Sequence, residues 1–351
     1  MSNYFEKIKN IPLKSSPVIM GIETSCDETA VAIVRNGREI LADEIISSAT
    51  EHAKFGGVVP EIASRNHTVA ILRATENALS AAGMTMDDID AIAVTQGAGL
   101  LGALLVGVSF AKALAFSTEK PLVPVSHIRG HMAAAYLADK QLEPPFINIL
   151  ASGGHTAIIH VKNYYEFDVL GSTIDDAAGE AFDKVARVLG LSYPGGPNIE
   201  KLAKNSENNI KLPKMLKNYT GSEYDFSYSG LKTAVINYVH TEEQKGNEVR
   251  RADVAASFQH AAIDTLIEKA FKAAEKTRCT TIAVSGGVGA NGYLRESLTA
   301  LCKEKGIKLV MPEKRYCTDN GAMIGAEGYL QYKRRNFADL SLNARAVVPL
   351  K

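Results

Sequence analysis

A strand–turn–strand segment constrains the fold of this chain more than any other feature, because a similar segment occurs twice. In the first copy, from Val18 to Val34, the apolar stretches VIMGIE and AVAIV flank the small polar residues TSCDET. About 130 residues later, the apolar stretches PFINILA and AIIHV flank the turn SGGHT. Each copy opens a run of alternating strand and helix patterns. The sequence therefore predicts an α/β protein with an internal duplication.

The length of 351 residues suits two lobes of this kind. The segment Gln141–Pro145 contains two prolines and is the predicted boundary between them. We therefore expect an N-terminal extension over residues 1–17, an N-terminal lobe over 18–143 and a C-terminal lobe over 144–321. The helical pattern within 322–351 is expected to return to the N-terminal lobe.

The composition bears on several classes of protein. Basic and acidic residues number 39 each, so bulk charge does not indicate a nucleic-acid binder, although a local basic patch would be compatible with one. No apolar run is expected to reach the length of a membrane span, and residues 1–17 lack the apolar segment of a signal peptide. The four cysteines form no C-x-x-C pair. We expect a cytoplasmic protein with free thiols and no membrane contact.

The motif HIRGH places His127 and His131 four residues apart. On a helix this spacing puts both imidazoles on one face, within reach of a single metal ion. Two unrelated helix histidines would show the same spacing, and the motif alone does not separate the two interpretations. It resembles the metalloprotease motif H-E-x-x-H, but Ile128 stands where those enzymes carry the glutamate that activates water. Peptide hydrolysis by that route is therefore not expected.

Asp319, in the segment CTDNGAMIG, is the candidate third ligand, since two imidazoles leave room for a carboxylate. It precedes an apolar helical pattern, so an N-cap role is the alternative.

Three glycine-rich turns, SGGH (152–155), PGGP (194–197) and SGGVGAN (285–291), could hold an anion through backbone N–H groups. Together with the duplication they predict a nucleotide cleft between lobes. Asp183 could bind a ribose hydroxyl or be an ordinary exposed helix carboxylate.

Taken together, GIETSCDET, HIRGH, SGGHT, GEAFDKVAR, YPGGPNIEKLA, FSYSGLKT, SGGVGANGYLR and CTDNGAMIG resemble the TsaD family, from about residue 18 to about residue 330. Its relatives include the catalytic subunits of the KEOPS complex, and the family was formerly known as O-sialoglycoprotein endopeptidases. The resemblance implies the two-lobed actin-like, Hsp70-like and sugar-kinase-like (ASKHA) fold. It implies transfer of a threonylcarbamoyl group from threonylcarbamoyl-AMP to N6 of the tRNA adenosine that lies 3′ to the anticodon.

The resemblance also implies roles for single residues. His127, His131 and Asp319 become ligands of one divalent metal, with iron(II) expected and zinc or magnesium as alternatives. Glu23 and Cys26 would face the acyl group as catalytic residues. The adenylate and substrate contacts would be Leu150, Ala151, Ser152, Gly153, Gly154, Asp183, Gly196 and Asn291.

The implied partners are tRNA, a TsaB-type paralogue and a TsaE-type ATPase, with a TsaC-type synthase supplying the adenylate. Two other functions would use the same fold. An ATP-dependent small-molecule kinase would leave HIRGH without a role, and a non-catalytic ATP-binding partner would require a vestigial metal site. Incubation with ATP and candidate sugars would separate the kinase from the transferase.

Overall fold

The computed structural model of the protein describes residues 3–204, 206–216 and 219–349. Within them the chain forms two compact units. One unit contains the described residues up to Leu142 together with those from Asp319 onward, and the other contains Glu143–Thr318. The first unit is therefore built from two segments that are far apart in the sequence.

The first unit contains a five-stranded sheet. Its strands are β1 (Val18–Glu23), β2 (Glu28–Arg35), β3 (Glu39–Ser47), β4 (Ala91–Gly97) and β5 (Leu122–Ser126). They lie in the order β3-β2-β1-β4-β5, in which β1, β4 and β5 are parallel to one another and β2 is antiparallel to its two neighbours. Parallel strands end at the same edge, so residues that follow β1, β4 and β5 are brought together there.

The described residues before the second unit contain five helices. They are α1 (Asn3–Ile8), α2 (Ala49–Ala53), α3 (Pro60–Ala82), α4 (Leu101–Thr118) and α5 (His127–Ala138), with a short 3-10 turn at Met86–Asp88. Helix α3 has proline in its first turn and ends at Gly83 in the left-handed conformation, as helix-start and helix-stop chemistry predicts. Helices α3 and α4 pack against each other, and α4 also packs on β4.

Helix α4 corrects the expectation that no apolar run reaches the length of a membrane span. Its 18 residues have a mean hydropathy of 1.6, and among the described residues it is the one helix long and apolar enough to cross a membrane. A third of that length is buried inside the protein, including Leu104, Val108 and Ala111. The apolar character of α4 thus has a use within the fold, because one face of the helix contributes to the core.

Helix α1 and the segment that follows it pack on the first unit. Tyr4 and Ile8 of α1 are buried in its core, and the Tyr4 hydroxyl donates a hydrogen bond to the Lys120 carbonyl at 2.7 Å. The Lys14 ammonium pairs with the Asp90 carboxylate at 2.6 Å. The described part of the N-terminal extension is therefore an ordered component of this unit.

The second unit repeats the topology of the first. Its strands are β6 (Phe146–Ala151), β7 (Thr156–Val161), β8 (Phe167–Ser172), β9 (Thr281–Ser285) and β10 (Lys308–Val310). They lie in the order β8-β7-β6-β9-β10, with β6, β9 and β10 parallel and the β6–β7 and β7–β8 pairs antiparallel. Strand for strand this is the order and direction of the first sheet. The predicted duplication is confirmed.

The helices of the second unit are α6 (Ala178–Val188), α7 (Gly195–Ala203), α8 (Tyr228–Gln244), α9 (Arg251–Thr277) and α10 (Gly292–Lys305), with 3-10 turns at Gly287–Ala290 and Lys314–Tyr316. The 27-residue helix α9 lies at the centre of the core of this unit. Its buried side chains include Ala262, Leu266 and Ala270, which are four residues apart, as the helical period of its sequence predicts.

The last helix, α11 (Gly321–Lys333), packs on β1, β2 and α5 of the first unit. Glycine permits this packing. A Cβ atom on Gly21 of β1 would lie 2.2 Å from the Gly321 carbonyl oxygen, and one on Gly321 would lie 2.5 Å from the Ala32 nitrogen. The start of α11 therefore rests directly on the sheet backbone, which holds the residues just before the helix in place.

Candidate metal centre

The two histidines of HIRGH lie on the first turns of α5, at the parallel edge of the first sheet. His127 is the first residue of α5 and directly follows β5, and His131 comes one turn later. Both side chains are buried. Their ring centroids are 4.6 Å apart, with the rings 75° from parallel. The predicted helix is therefore present, and it places both imidazoles on one face.

Asp319, almost 200 residues later in the sequence, lies beside the two histidines. Its Oδ1 lies 3.2 Å from His131 Nε2 and 3.6 Å from His127 Nε2. Candidate ligand atoms of all three residues lie within 4.8 Å of one another. The N-cap of α11 is Asn320, whose Oδ1 accepts a hydrogen bond from the Met323 nitrogen at 2.8 Å. Capping is thus provided by the next residue, which leaves the Asp319 carboxylate directed at the histidines.

The donor set fits a divalent cation. Both ring nitrogens of His131 are buried and lack a hydrogen-bond partner, although Nε2 lies close to Asp319. A buried imidazole nitrogen without a partner is costly unless a metal ion or another ligand satisfies it. Burial, together with the charges of Asp319 and Asp27, also raises the pKa of Glu28. The carboxylates of Glu28, Asp319 and Asp27 therefore repel one another, and a bound cation would reduce that repulsion.

Glu23 is the last residue of β1, and its side chain is fully buried. Its Oε2 lies 3.0 Å from His127 Nδ1 and accepts a hydrogen bond from the Thr95 hydroxyl at 2.7 Å. Burial lowers the pKa of His127, but the carboxylates of Asp319 and Glu23 outweigh burial and raise that pKa to about 9. Without a metal ion, the His127 imidazole is therefore protonated on both nitrogens and positively charged at neutral pH.

Cys26 lies in the turn between β1 and β2 and is partly buried. Burial, with the nearby charges of Asp319 and Asp27, raises the pKa of the Cys26 thiol. The thiol is therefore protonated at neutral pH, and a protonated thiol is a weak nucleophile. All four cysteines of the chain are free.

The residues predicted to contact the adenylate all belong to the second unit. Leu150 and Ala151 end β6 and are buried, and Ser152, Gly153 and Gly154 form the turn into β7. The turn is closed by hydrogen bonds in both directions, from the Ser152 nitrogen to the His155 carbonyl and from the His155 nitrogen to the Ser152 hydroxyl. A Cβ atom on Gly153 or Gly154 would meet no atom within 4 Å, so the outer side of this turn is open.

The other glycine-rich segments are tied to this turn one after another. The Gly179 nitrogen of α6 donates to the Ser152 carbonyl at 3.1 Å, and the Gly195 nitrogen of α7 donates to the Asp183 carboxylate at 2.7 Å. Asn291 caps α10 through its Oδ1, and its amide nitrogen donates to Gln259. Gly196 lies at the start of α7, and a Cβ atom there would also meet open space. The nitrogen of Gly292, next to Asn291, donates to the Glu200 carboxylate of α7 at 3.1 Å, so the three glycine-rich segments form one connected group in the second unit.

Comparison with known proteins identifies one family. The family model described as TsaD, tRNA N6-adenosine threonylcarbamoyltransferase, matches residues 39–326. The chain belongs to the TsaD family. A protein of Clostridium botulinum named tRNA N6-adenosine threonylcarbamoyltransferase is 52% identical over 95% of this chain and 97% of its own length. A protein of the same name from Clostridium perfringens is 52% identical over 93% of this chain and 96% of its own length.

Two solved structures share the fold of this chain. HypF in its phosphate- and nucleotide-bound form matches 93% of this chain and 48% of its own, with a TM-score of 0.62 and 15% identity. Component A of (R)-2-hydroxyglutaryl-CoA dehydratase from Acidaminococcus fermentans matches 91% of this chain and 99% of its own, with a TM-score of 0.53 and 16% identity. At such low identity the likeness concerns the fold alone. It confirms the expected ASKHA-type α/β fold.

The partners of the histidines are not indicated by any sequence motif. Nothing in HIRGH indicates that His127 meets Glu23, or that Thr95 and Ser25 complete that contact. Nor does any motif assign a role to Glu28, which lies close to Asp27 and Asp319. One sequence feature does point to the contact, namely the position of these residues relative to the strands. Glu23, Thr95 and His127 lie at, near or just beyond the ends of three strands, and these strands are parallel in the structure.

Proposed function

We propose that this chain transfers the threonylcarbamoyl group from threonylcarbamoyl-AMP to N6 of the adenosine that lies 3′ to the anticodon, in tRNAs that read codons beginning with A. Membership of the TsaD family supports the reaction. The observation that carries the proposal is the convergence of His127, His131 and Asp319 within 4.8 Å. A kinase of the same fold would have no use for this cluster.

We assign His127, His131 and Asp319 as ligands of a divalent metal. Two imidazole nitrogens and one carboxylate suit iron(II) or zinc, whereas magnesium prefers an all-oxygen set. The donor types therefore favour iron or zinc over magnesium, and iron(II) is placed first because two histidines with one carboxylate are the set typical of non-haem iron. When bound, such an ion would supply Lewis-acid polarisation of a carbonyl or phosphoryl oxygen.

The glycine turns of the second unit are assigned to the adenylate. Backbone N–H groups of the Ser152–Gly154 turn can approach a phosphate closely, since neither glycine there carries a Cβ atom. Asp183, Gly196 and Asn291 belong to the same group and would contact the nucleoside part.

In the reaction the adenosine N6 forms a bond to the carbamoyl carbon, the carbon–oxygen bond to phosphate breaks, AMP departs with the electron pair, and N6 loses a proton. Holding the reactants in place is the main task of these residues, because the exocyclic amine is a weak nucleophile.

We propose a cytoplasmic location and a TsaB-type paralogue, a TsaE-type ATPase and a TsaC-type synthase as partners. Helices α3 and α4, which pack against each other, support a protein partner because several large apolar side chains on them are exposed. These are Val69, Leu72, Leu101, Leu105 and Phe116. If the paralogue covers them, charge substitutions such as Leu72→Asp should abolish its co-purification and leave the free chain folded.

Mass spectrometry of modified nucleosides tests the activity. The purified chain is incubated with tRNA, threonylcarbamoyl-AMP and the candidate helpers, and the tRNA is then digested. We expect threonylcarbamoyladenosine with the natural tRNA and none with a transcript carrying guanosine at the target position. ADP formation from ATP and sugars, without modified nucleoside, would instead establish a kinase.

A further inference from the structure

The Glu23 side chain lies behind the candidate metal centre. It is fully buried, and its carboxylate oxygens are occupied by protein donors. One oxygen, Oε1, accepts the Ser25 backbone N–H, and the other, Oε2, accepts the Thr95 hydroxyl and faces His127 Nδ1 at 3.0 Å. A carboxylate held in this way cannot turn toward a substrate without leaving three partners unsatisfied.

We propose that Glu23 is a positioning residue that sets the tautomer and ring orientation of His127 for metal binding. The inference rests on the proposed metal centre. Oxygen Oε2 of Glu23 already accepts the Thr95 hydroxyl, and a carboxylate oxygen is a hydrogen-bond acceptor, so the His127 Nδ1 that faces it is placed as the donor. A neutral imidazole has one N–H, and a hydrogen on Nδ1 leaves the lone pair on Nε2. Nε2 is the nitrogen that faces Asp319, at 3.6 Å.

The second histidine provides an internal contrast. Nδ1 of His131 is buried and has no hydrogen-bond partner among the described residues, so it lacks a counterpart to the Glu23 carboxylate that faces Nδ1 of His127. The two histidines therefore differ at Nδ1: that of His127 faces the Glu23 carboxylate and the Ser25 hydroxyl, whereas that of His131 faces no described polar partner. We expect the removal of Glu23 to act through His127.

The topology explains why a distant residue can perform this task. Glu23 ends β1, Thr95 lies near the end of β4, and His127 follows β5. These three parallel strands are neighbours in the sheet, with β4 in the middle. The Thr95 hydroxyl on the middle strand β4 therefore donates to the Glu23 carboxylate on β1. This hydrogen bond helps to hold that carboxylate beside the His127 imidazole, which follows β5.

The substitution Glu23→Gln tests the proposal with little change in shape. Glutamine offers one oxygen and one NH2 group to three hydrogen-bond donors, so its NH2 must face at least one of them. If the NH2 faces His127 Nδ1, it favours the tautomer with hydrogen on Nε2 and blocks the ligand atom. We expect the dissociation constant for Zn²⁺, measured by equilibrium dialysis, to rise by about 10- to 100-fold, as is typical for outer-shell partners of a metal-bound histidine.

Asp90→Asn is the matched control. Asp90 is another largely buried carboxylate of the same unit, and its Oδ2 accepts the Val18 nitrogen at the opposite end of β1. The control should bind Zn²⁺ like the unaltered chain. The visible absorption of bound Co²⁺ gives a second readout, because it reports ligand geometry and should change in Glu23→Gln only.

Thr95→Val supplies a graded variant if Glu23→Gln does not fold. It keeps the shape of the side chain and removes one hydrogen bond to Glu23, so affinity should fall roughly two- to fivefold. Equal Zn²⁺ affinity and an unchanged Co²⁺ spectrum in the folded variants would overturn the positioning role. So would an equal loss of affinity in Glu23→Gln and Asp90→Asn. If the unaltered chain binds no metal, the proposed metal centre itself fails, a result distinct from a metal-binding chain that is indifferent to Glu23.

Discussion

The two units share one sheet topology and differ at the equivalent edge. In the first unit the central strand β1 ends in Glu23, and in the second unit the equivalent strand β6 ends in Ala151. The first edge carries ionisable side chains that converge on one point. The second carries glycine turns with open space above Gly153 and Gly154. A duplicated scaffold thus offers two kinds of candidate site, one with side chains that could hold a metal ion and the other with backbone N–H groups that could hold an anion.

The largest expected effect is at the side-chain edge. His131→Ala removes one of two nitrogen ligands, so we expect metal occupancy and nucleoside modification to fall together by more than about 100-fold, beyond the range of outer-shell changes. Metal analysis after dialysis and mass spectrometry of the tRNA measure the two quantities. His240→Ala, on an exposed histidine of α8, is the control and should change neither. Full transfer by metal-free His131→Ala would remove the distinction between the two edges.

Next in size is a stability effect at the backbone edge. Gly286 has a φ of 86°, and a Cβ atom there would lie 2.4 Å from the Ala151 carbonyl oxygen. Gly286→Ala should lower the free energy of unfolding by about 2–4 kcal/mol, measured by urea titration. Gly246→Ala separates the two causes, because Gly246 has a φ of 73° but open space around its Cβ position. A loss as large as that of Gly286→Ala would show that φ alone matters.

A smaller effect is expected in the open turn. Gly154→Ala adds a methyl group that meets no protein atom within 4 Å, so folding should be unchanged. The methyl group would occupy the approach to the backbone N–H groups, and affinity for threonylcarbamoyl-AMP should fall about tenfold, or 1.4 kcal/mol. Calorimetry measures this affinity, and Zn²⁺ affinity serves as the control because the metal ligands belong to the other unit. Unchanged adenylate affinity would place the nucleotide elsewhere.

The smallest effect concerns pH. Burial lowers the pKa of His67, whose ring nitrogens contact the Thr29 hydroxyl and the Cys26 carbonyl. Because the folded pKa lies below the unfolded value of about 6.5, the unfolded chain binds the proton more readily. Stability is therefore full above that pH and declines as the pH falls below it. His67→Gln should flatten this decline in melting temperature between pH 7.5 and 5, roughly the range over which histidine titrates.

His160→Gln is the matched control for the pH experiment. His160 belongs to β7 of the second unit, and burial lowers its pKa as well, but the residue is less enclosed than His67 and the Asp168 charge opposes the shift. We expect a weaker flattening with this variant. An equal response of the two variants would show that the acid sensitivity does not reside in the first unit.

Features local in sequence were predictable. The duplicated hairpins follow from apolar strands flanking small polar turns, and both became strand pairs with the same sheet order. The convergence of His127 and His131 required only the helical period. The N-cap alternative for Asp319 could not be settled in this way, because Asn320 beside it is an equally good cap and only the backbone path selects between them.

The sequence by itself determined the family, the α/β class with its repeat, and the histidine pair, because each depends on residues that are near one another or on motifs in a set order. Tertiary structure alone decided that Asp319 meets those histidines and that Glu23 lies behind His127. The physical reason is strand direction. Parallel pairing of β1, β4 and β5, and glycine-mediated contact of α11 with β1, bring residues far apart in the chain to one edge of a sheet.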